Sequence, residues 1–234
     1  MFNKLKDALQ SLDISLDARA EERFEKYCET LIETNKVMNL TAIVDPQEIY
    51  LRHFADSVAL LACFDFSGKK VIDVGTGAGF PGLPLKIACP DINLTLLDSL
   101  RKRVDFLQNT CDLLGLDANC IHARAEEAAM SADFRDCFDV VTSRAVASLP
   151  MLCELCLPFV KPGGVFLAMK SKDYLAELEA SENAIKTLQA RVERIWEYSI
   201  EGTDLAYCVV VIKKLANTPS KYPRRFAKIQ KNPL

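Results

Sequence analysis

Val71-Ile72-Asp73-Val74-Gly75-Thr76-Gly77-Ala78-Gly79-Phe80-Pro81-Gly82 decides how the rest of the chain is read. Val71, Ile72 and Val74 make a short buried strand around Asp73. Glycine then stands at every second position, and a helical pattern opens after it. Glycine reaches positive φ and carries no Cβ, so such a turn lets a ligand approach the backbone. In open α/β sheets the ligand sits at the carboxyl ends of the strands, beside a turn of this kind. Gly77, Gly79 and Gly82 also satisfy GxGxxG, the dinucleotide fingerprint. That string alone is weak evidence. No GxxxxGK[ST] occurs, which excludes a P-loop nucleotidase.

Outward from this loop, strands and helices alternate. Strands are expected at Val71–Val74, Leu94–Asp98, Ala118–His122, Asp139–Ser143, Val165–Lys170, Arg191–Ser199 and Tyr207–Lys214. Helices are expected near Pro81–Ala88, Arg101–Leu114, Glu126–Met130, Leu149–Phe159 and Tyr174–Gln189. Such alternation means a parallel sheet with helices on both faces. The last two strands are joined only by Ile200 to Ala206, too short for a crossover helix, so they should pair antiparallel. Before the loop the chain reads as helices. Leu5, Leu9 and Leu12 share one face; Phe24, Tyr27, Leu31 and Ile32 follow helical spacing; Asp45-Pro46 opens a third helical run. The expected fold is α/β, a class I AdoMet-dependent methyltransferase (Rossmann-like) layout. It has a mostly parallel seven-stranded sheet, an antiparallel last strand and an N-terminal helical extension. The expected divisions are a helical extension over 1–66, an AdoMet-binding core over 67–215 and a basic tail over 216–234.

Three features favour S-adenosylmethionine (AdoMet) over a nicotinamide dinucleotide. Asp73 lies two residues before the first glycine, where it can accept from an ammonium or anchor the turn. A pyrophosphate disfavours that charge. Gly75-x-Gly77-x-Gly79 is the register that starts directly after the strand, and the closing hairpin points the same way. Asp98 ends the next strand, 21 residues after Gly77, where a carboxylate can take both ribose hydroxyls. Both ligands share that last feature.

Composition limits the remaining classes. The chain has 234 residues and is 50% hydrophobic, enough for one sizeable domain with a small extension. No run of about twenty apolar residues exists and the N-terminus lacks an apolar stretch, so neither membrane span nor signal peptide is expected. A cytoplasmic location is expected. Nine scattered cysteines read as reduced thiols, and the Cys153–Cys156 pair with only His53 and His122 lacks the ligands of a zinc site. No metal is expected. The net charge of −3 hides an asymmetry: Met1 to Asp204 carries 22 basic and 32 acidic residues, whereas Leu205 to Leu234 carries seven basic and no acidic ones. An acidic body with a basic tail suits contact with a polyanion.

The segment after the fourth strand, Thr142-Ser143-Arg144-Ala145-Val146-Ala147-Ser148, contains neither an Asn/Asp-Pro-Pro-Tyr turn nor a Pro-Cys nucleophile. The methyl acceptor should then be nucleophilic already, such as a ring nitrogen like guanine N7. It needs alignment rather than a base, so no catalytic acid or base is expected. Arg101, Lys102 and Arg103 oppose a helix dipole in a first turn, which a phosphate would offset. Arg52 and Asp56 have the spacing of a surface ion pair, and beside them His53 is more often a packed histidine than a catalyst. Lys221-Tyr222-Pro223-Arg224-Arg225-Phe226-Ala227-Lys228 interleaves cations with aromatics, which suits RNA, although a disordered end is the plainer alternative.

Taken in order, several segments resemble one family, the bacterial RsmG (GidB) enzymes that methylate guanine N7 in 16S ribosomal RNA. These are Asn39-Leu40-Thr41, Arg52-His53-Phe54-Ala55-Asp56-Ser57, DVGTGAGFPGLPLKI, LLDSLRKRVDFL, Ala125-Glu126, SRAVASL, KPGG and the YPRR tail. Ala78 stands where many members have proline. The resemblance implies a guanine at position 527, in the 530 loop, and AdoMet contacts at Gly75, Phe80, Ala125, Glu126 and Arg144. The expected cofactor set is therefore Asp73, Gly75, Gly77, Gly79, Phe80, Asp98, Ala125, Glu126 and Arg144. Phe80 can wall the ligand. Ala125-Glu126 can read the adenine edge through a backbone amide or carboxylate. Arg144 can hold the methionine carboxylate or an RNA phosphate. The expected RNA contacts are Arg52, His53, Arg101, Lys102, Arg103, Lys170, Arg224 and Arg225. The partner is the small ribosomal subunit or its 16S rRNA, with no membrane and no protein partner, and the chain is expected as a monomer. The rivals are a nicotinamide-dependent oxidoreductase and a ribosome-binding module without turnover.

Overall fold

The computed structural model describes every residue except Ala145, Lys172, Asp173, Asp204 and Leu205. Parts of the expected hairpin connection and of the segment after the fourth strand thus lie outside the described residues. The chain opens with α1 (Phe2–Gln10) and α2 (Ala18–Met38). Asp17 caps α2 by accepting from the Ala20 amide at 2.8 Å, and Asn39 ends it in the left-handed region. Asp45 caps α3 (Pro46–Glu48) through the Gln47 and Glu48 amides. A π-helical stretch, Ile49–Ala55, follows and runs into α4 (Asp56–Val58) and α5 (Leu60–Cys63). Such wide turns are rare and often occur at functional sites. Here the stretch carries Arg52 and His53.

The core runs β1 (Lys70–Val74), α6 (Gly82–Ala88), β2 (Asn93–Asp98), α7 (Arg101–Leu114), β3 (Ala118–His122), α8 (Ala125–Ala128) and β4 (Phe138–Arg144). It continues with α9 (Leu149–Cys156), β5 (Val160–Ser171), α10 (Tyr174–Ala180), α11 (Glu182–Thr187), β6 (Ala190–Ser199) and β7 (Ala206–Lys214). The seven strands form one sheet in the order β3-β2-β1-β4-β5-β7-β6. The first five are parallel; β7 runs antiparallel to both β5 and β6. This is the expected layout. The strand order reverses beside β1, between β2 and β4, and so opens a crevice at the carboxyl ends of those strands.

Apolar residues fill both faces of the sheet. Phe24, Tyr27, Phe54 and Leu83 belong to one buried cluster with Leu94, Leu96 and Val140, so the N-terminal helices pack directly on the sheet. Val141, Phe159, Phe166 and Val210 belong to a second cluster with Leu152 and Cys156 of α9. Residues after β7 fold back over this second face. Tyr222 is buried, and the last helix, α12 (Phe226–Lys231), buries Ile229 completely.

Candidate cofactor and acceptor site

The glycine turn is built from inside. Gly75 and Gly77 have φ of 70° and 61°, and the Gly75 amide donates to Leu97 O at 2.9 Å. Asp73 is fully buried beneath the turn and accepts from Thr76 Oγ1 at 2.6 Å, the Gly82 amide at 2.9 Å and Thr142 Oγ1 at 3.1 Å. Burial pushes its carboxyl up to about 6 against the pull of these donors. Of the two roles open to Asp73, the structure selects anchoring the turn. The residue does not line the cavity, which corrects its place in the cofactor set. Gly79 is corrected likewise: a Cβ there would meet Leu83 Cδ1 at 2.6 Å and Tyr27 Oη at 2.7 Å. It is glycine because the turn crosses packed side chains, not because a ligand approaches.

A cavity of about 460 Å³ opens at the reversal of strand order. Gly75, Gly77, Phe80, Asp98, Ala125, Glu126 and Arg144 all line it. A Cβ on Gly77 would meet nothing within 4 Å, so that residue borders open space. On the β2 side, Asp98 is 3% exposed. Its Oδ2 accepts from the Gly77 amide at 3.0 Å and its Oδ1 from the Leu100 amide at 2.9 Å. Each oxygen keeps a lone pair for a further donor. Ala125, Glu126, Leu152, Leu155 and Phe226 also form part of the wall.

The β4 side is polar and tightly wired. Arg144 donates to Asp56 Oδ2 at 2.8 Å and to Arg52 O at 3.3 Å, and its guanidinium lies 4.8 Å from the Phe80 ring centre. Asp56 is 3% exposed and takes a second bond at 2.6 Å from the Tyr198 hydroxyl. The expected Arg52–Asp56 surface pair is thus replaced by a buried Asp56–Arg144 pair, with Arg52 beside Glu48. The π-helical stretch precedes Asp56, and that carboxylate meets β4 rather than solvent. His53 stacks on Phe80 with centroids 4.5 Å apart. Its Nδ1 lies 3.3 Å from Arg144 Nη2, and its Nε2 lies 2.8 Å from Thr41 Oγ1. Arginine can only donate, so Nδ1 accepts and the ring carries its proton on Nε2.

Burial, and then the charge of Arg144, pull the His53 pKa down to about 3. In the unfolded chain the ring titrates near 6.5. Between these values the unfolded state binds the additional proton, so the His53 contribution to stability is present above pH 6.5 and is lost as pH falls toward 3. The stability difference between wild type and His53→Gln should therefore shrink on acidification through this window; the Asp73 contribution is common to both and cancels. Imidazole NMR should show no titration of His53 from pH 5 to 8. A midpoint near 6.5 would refute the buried neutral ring.

The remaining basic residues divide. Arg101 and Lys102 are exposed at the start of α7, where no acid occupies the first turn, and Arg225 is exposed before α12. Arg103 instead lines the cavity, 3.5 Å from Asp98 Oδ2. Lys170 is held by Glu177 at 2.7 Å and Ala147 O at 3.2 Å. Arg224 is the clearest correction. It grips Glu154, a fully buried carboxylate of α9, through its amide (2.8 Å), Nε (2.8 Å) and Nη2 (2.6 Å). An unpaired carboxylate inside α9 would be costly, so this cation is drawn inward rather than toward an external polyanion. His53 lines the cavity. Cys153 and Cys156 are both buried, and no metal-binding cluster occurs among the described residues.

Sequence reading missed Tyr198, Val146, Leu152, Leu155 and Phe226. Val146 presses on the turn: a Cβ on Gly75 would meet its Cγ2 at 2.7 Å. Tyr198 lies 142 positions from Asp56. No local pattern announces such a partnership.

Comparison with known proteins finds a family and a fold for the chain. A family model described as GidB, rRNA small subunit methyltransferase G, matches residues 20–205. Ribosomal RNA small subunit methyltransferase G of Acetivibrio thermocellus is 46% identical over 94% of this chain and 91% of its own length. The protein of that name from Clostridium beijerinckii is 43% identical over 100% and 98%. Among solved structures, M. jannaschii TYW2 in complex with AdoMet matches with a TM-score of 0.52 at 15% identity, over 65% of this chain and 72% of that one. TrmN from Thermus thermophilus matches with a TM-score of 0.52 at 20% identity, over 71% and 53%. At such identities the structural matches speak to the fold.

Proposed function

The chain belongs to the rRNA small subunit methyltransferase G family of AdoMet-dependent methyltransferases, and from that premise we propose that it methylates N7 of a guanine in 16S rRNA, position 527 of the 530 loop. One observation carries the site assignment. A single cavity at the sheet's reversal point joins a carboxylate at one end, Asp98, to a buttressed guanidinium at the other, Arg144. AdoMet has the complementary order, with ribose hydroxyls at one end and an α-carboxylate at the other. The open space at Gly77 fits its passage between them. When bound, AdoMet supplies an electrophilic methyl group on a sulfonium.

The chain's own residues then bind and orient. Asp98 accepts from the ribose hydroxyls. Ala125 and Glu126 border the adenine. Arg144, fixed by Asp56 and Tyr198, faces the methionine carboxylate, so its choice between cofactor and RNA phosphate falls to the cofactor. Guanine N7 carries a lone pair and no proton to remove, so the site needs alignment rather than a base. His53 suits this role: neutral, stacked and bonded at both nitrogens, it is a wall for the acceptor side and not a proton shuttle. Transfer of a tritiated methyl group to small subunits lacking the modification, with the labelled base mapped, tests the assignment. Label on another atom or another base would overturn it.

On the same reading the rRNA approaches over exposed cations, Arg101 and Lys102 on α7, Arg225 just before the terminal helix and Lys228 on it. Location in the cytoplasm accords with an rRNA substrate, and action as a monomer belongs to the same proposal. No helix among the described residues is long and apolar enough to cross a membrane. Arg225→Glu with Lys228→Glu, leaving Arg224 in place, should weaken RNA binding and flatten the log–log salt slope by about 0.7 per lost phosphate contact. S-adenosylhomocysteine affinity should not change. An unaltered slope in filter binding would move the RNA surface off the terminal helix.

A further inference from the structure

We propose that Phe226, on the C-terminal helix, forms the aromatic wall of the adenine pocket, so that the terminal segment contributes this one ring to the cofactor site. The inference rests on reading the cavity as an AdoMet site.

The terminal segment is fastened by three polar anchors and one buried side chain. Arg135 spends its guanidinium on it, with Nη2 donating to Thr218 O at 2.8 Å and Pro219 O at 3.2 Å, and Nη1 donating to Tyr222 O at 2.9 Å. The same Nη1 reaches Ala129 O at 3.1 Å, just past α8. The buried Lys214 ammonium joins Thr218 Oγ1 at 2.5 Å to Leu157 O at 2.6 Å and Asp136 Oδ1 at 3.2 Å. Glu154 holds Arg224, and Ile229 is fully buried within the cluster that includes Leu152 and Leu155. Backbone fixed this way holds a side chain in one place, which a loose tail cannot do.

That place is the β3 end of the cavity. Pro223, Arg224 and Arg225 border a groove against Arg124, Glu126, Glu127 and Met130 of the α8 region, and Arg124 and Glu126 also line the cofactor cavity. The segment therefore runs beside α8, and Phe226 enters the cavity wall together with Ala125, Leu152 and Leu155. Three aromatic rings line the cavity among the described residues. Two of them, Phe80 and His53, stack on each other beside Arg144 at the opposite end. Only Phe226 stands where a base joined to a ribose on Asp98 would lie. An adenine presents a flat π-face, and stacking on an aromatic ring stabilises it more than aliphatic contact alone.

The test is calorimetry with two ligands, S-adenosylhomocysteine and 5′-methylthioadenosine, which keeps the adenosine but lacks the amino-acid end. Phe226→Ala should bind both about tenfold more weakly, because the lost contact is with the base. Phe226→Tyr should bind both like wild type. Arg144→Ala should lose affinity for S-adenosylhomocysteine alone. If Phe226→Ala unfolds, Phe226→Leu keeps apolar bulk and should still lose severalfold for both ligands. Unchanged methylthioadenosine affinity in a folded Phe226→Ala or Phe226→Leu protein would overturn the inference and leave the AdoMet assignment standing. Failure of the wild type to bind either ligand would overturn the AdoMet assignment and the inference with it.

Discussion

Arg224→Ala should cost the fold about 3–5 kcal/mol, the range for stripping one partner from a buried ion pair. The carboxylate left behind, Glu154, is wholly buried in α9, and the arginine amide and guanidinium supply its bonds. For a chain of this size that should lower the midpoint of thermal unfolding by roughly 2–4 °C per kcal/mol. Replacing both partners with apolar residues, Glu154→Leu with Arg224→Met, should recover much of the loss, since no buried charge then remains. A surface arginine on a loose tail would behave otherwise: its removal should shift stability by about 0.5 kcal/mol or less. Denaturant unfolding of the single and double variants separates the two pictures. A single variant as stable as wild type would show that the Glu154 clasp contributes nothing. The loss should also reach the cofactor, because Arg224 precedes Phe226 by two residues.

Gly77→Val is the second large effect, and it falls on binding instead. Gly77 sits at φ 61° beside Asp98, and a Cβ added there would have no protein atom within 4 Å. A valine would project into space that AdoMet needs, and a β-branched residue resists positive φ. Affinity for S-adenosylhomocysteine should fall by a factor of about 100 or more, equivalent to about 2.7 kcal/mol. The backbone strain should cost roughly 1–3 kcal/mol of stability, so the protein should still fold. Gly79→Val makes the opposite comparison. Its side chain would strike Leu83 and Tyr27, so its damage should appear first in stability. Calorimetry beside thermal unfolding distinguishes them. Wild-type affinity in folded Gly77→Val would place the ligand elsewhere.

Much of the fold is legible in the sequence. Strand periodicity, the glycine turn and the short Ile200–Ala206 connection are local signals. They led to the five parallel strands, the antiparallel β7 and the crevice at the switch point. The positions of Gly75, Gly77 and Asp98 around one cavity follow from that topology, because they lie in the turn or at a strand's carboxyl end; Phe80, Ala125, Glu126 and Arg144, expected from the family resemblance, line the same cavity. Local pattern also placed a helix start at Asp45-Pro46, where the carboxylate does cap two amides.

What the sequence left open was the use of each charge. Asp73 and Asp98 both end or border strands of the same kind, yet one is sealed under the turn and the other lines the cavity. Arg224 and Arg225 are neighbours, yet one is drawn into α9 and the other faces solvent. Such differences depend on partners far along the chain: Glu154 for Arg224, Thr142 for Asp73, Tyr198 for Asp56. Backbone hydrogen bonds and side-chain alternation repeat over a few residues, so sequence alone determined the sheet, its ligand edge and the turn that shapes it. A buried charge must find its counterpart wherever folding brings one within reach, and only the tertiary structure decided which cations hold the fold together and which face solvent.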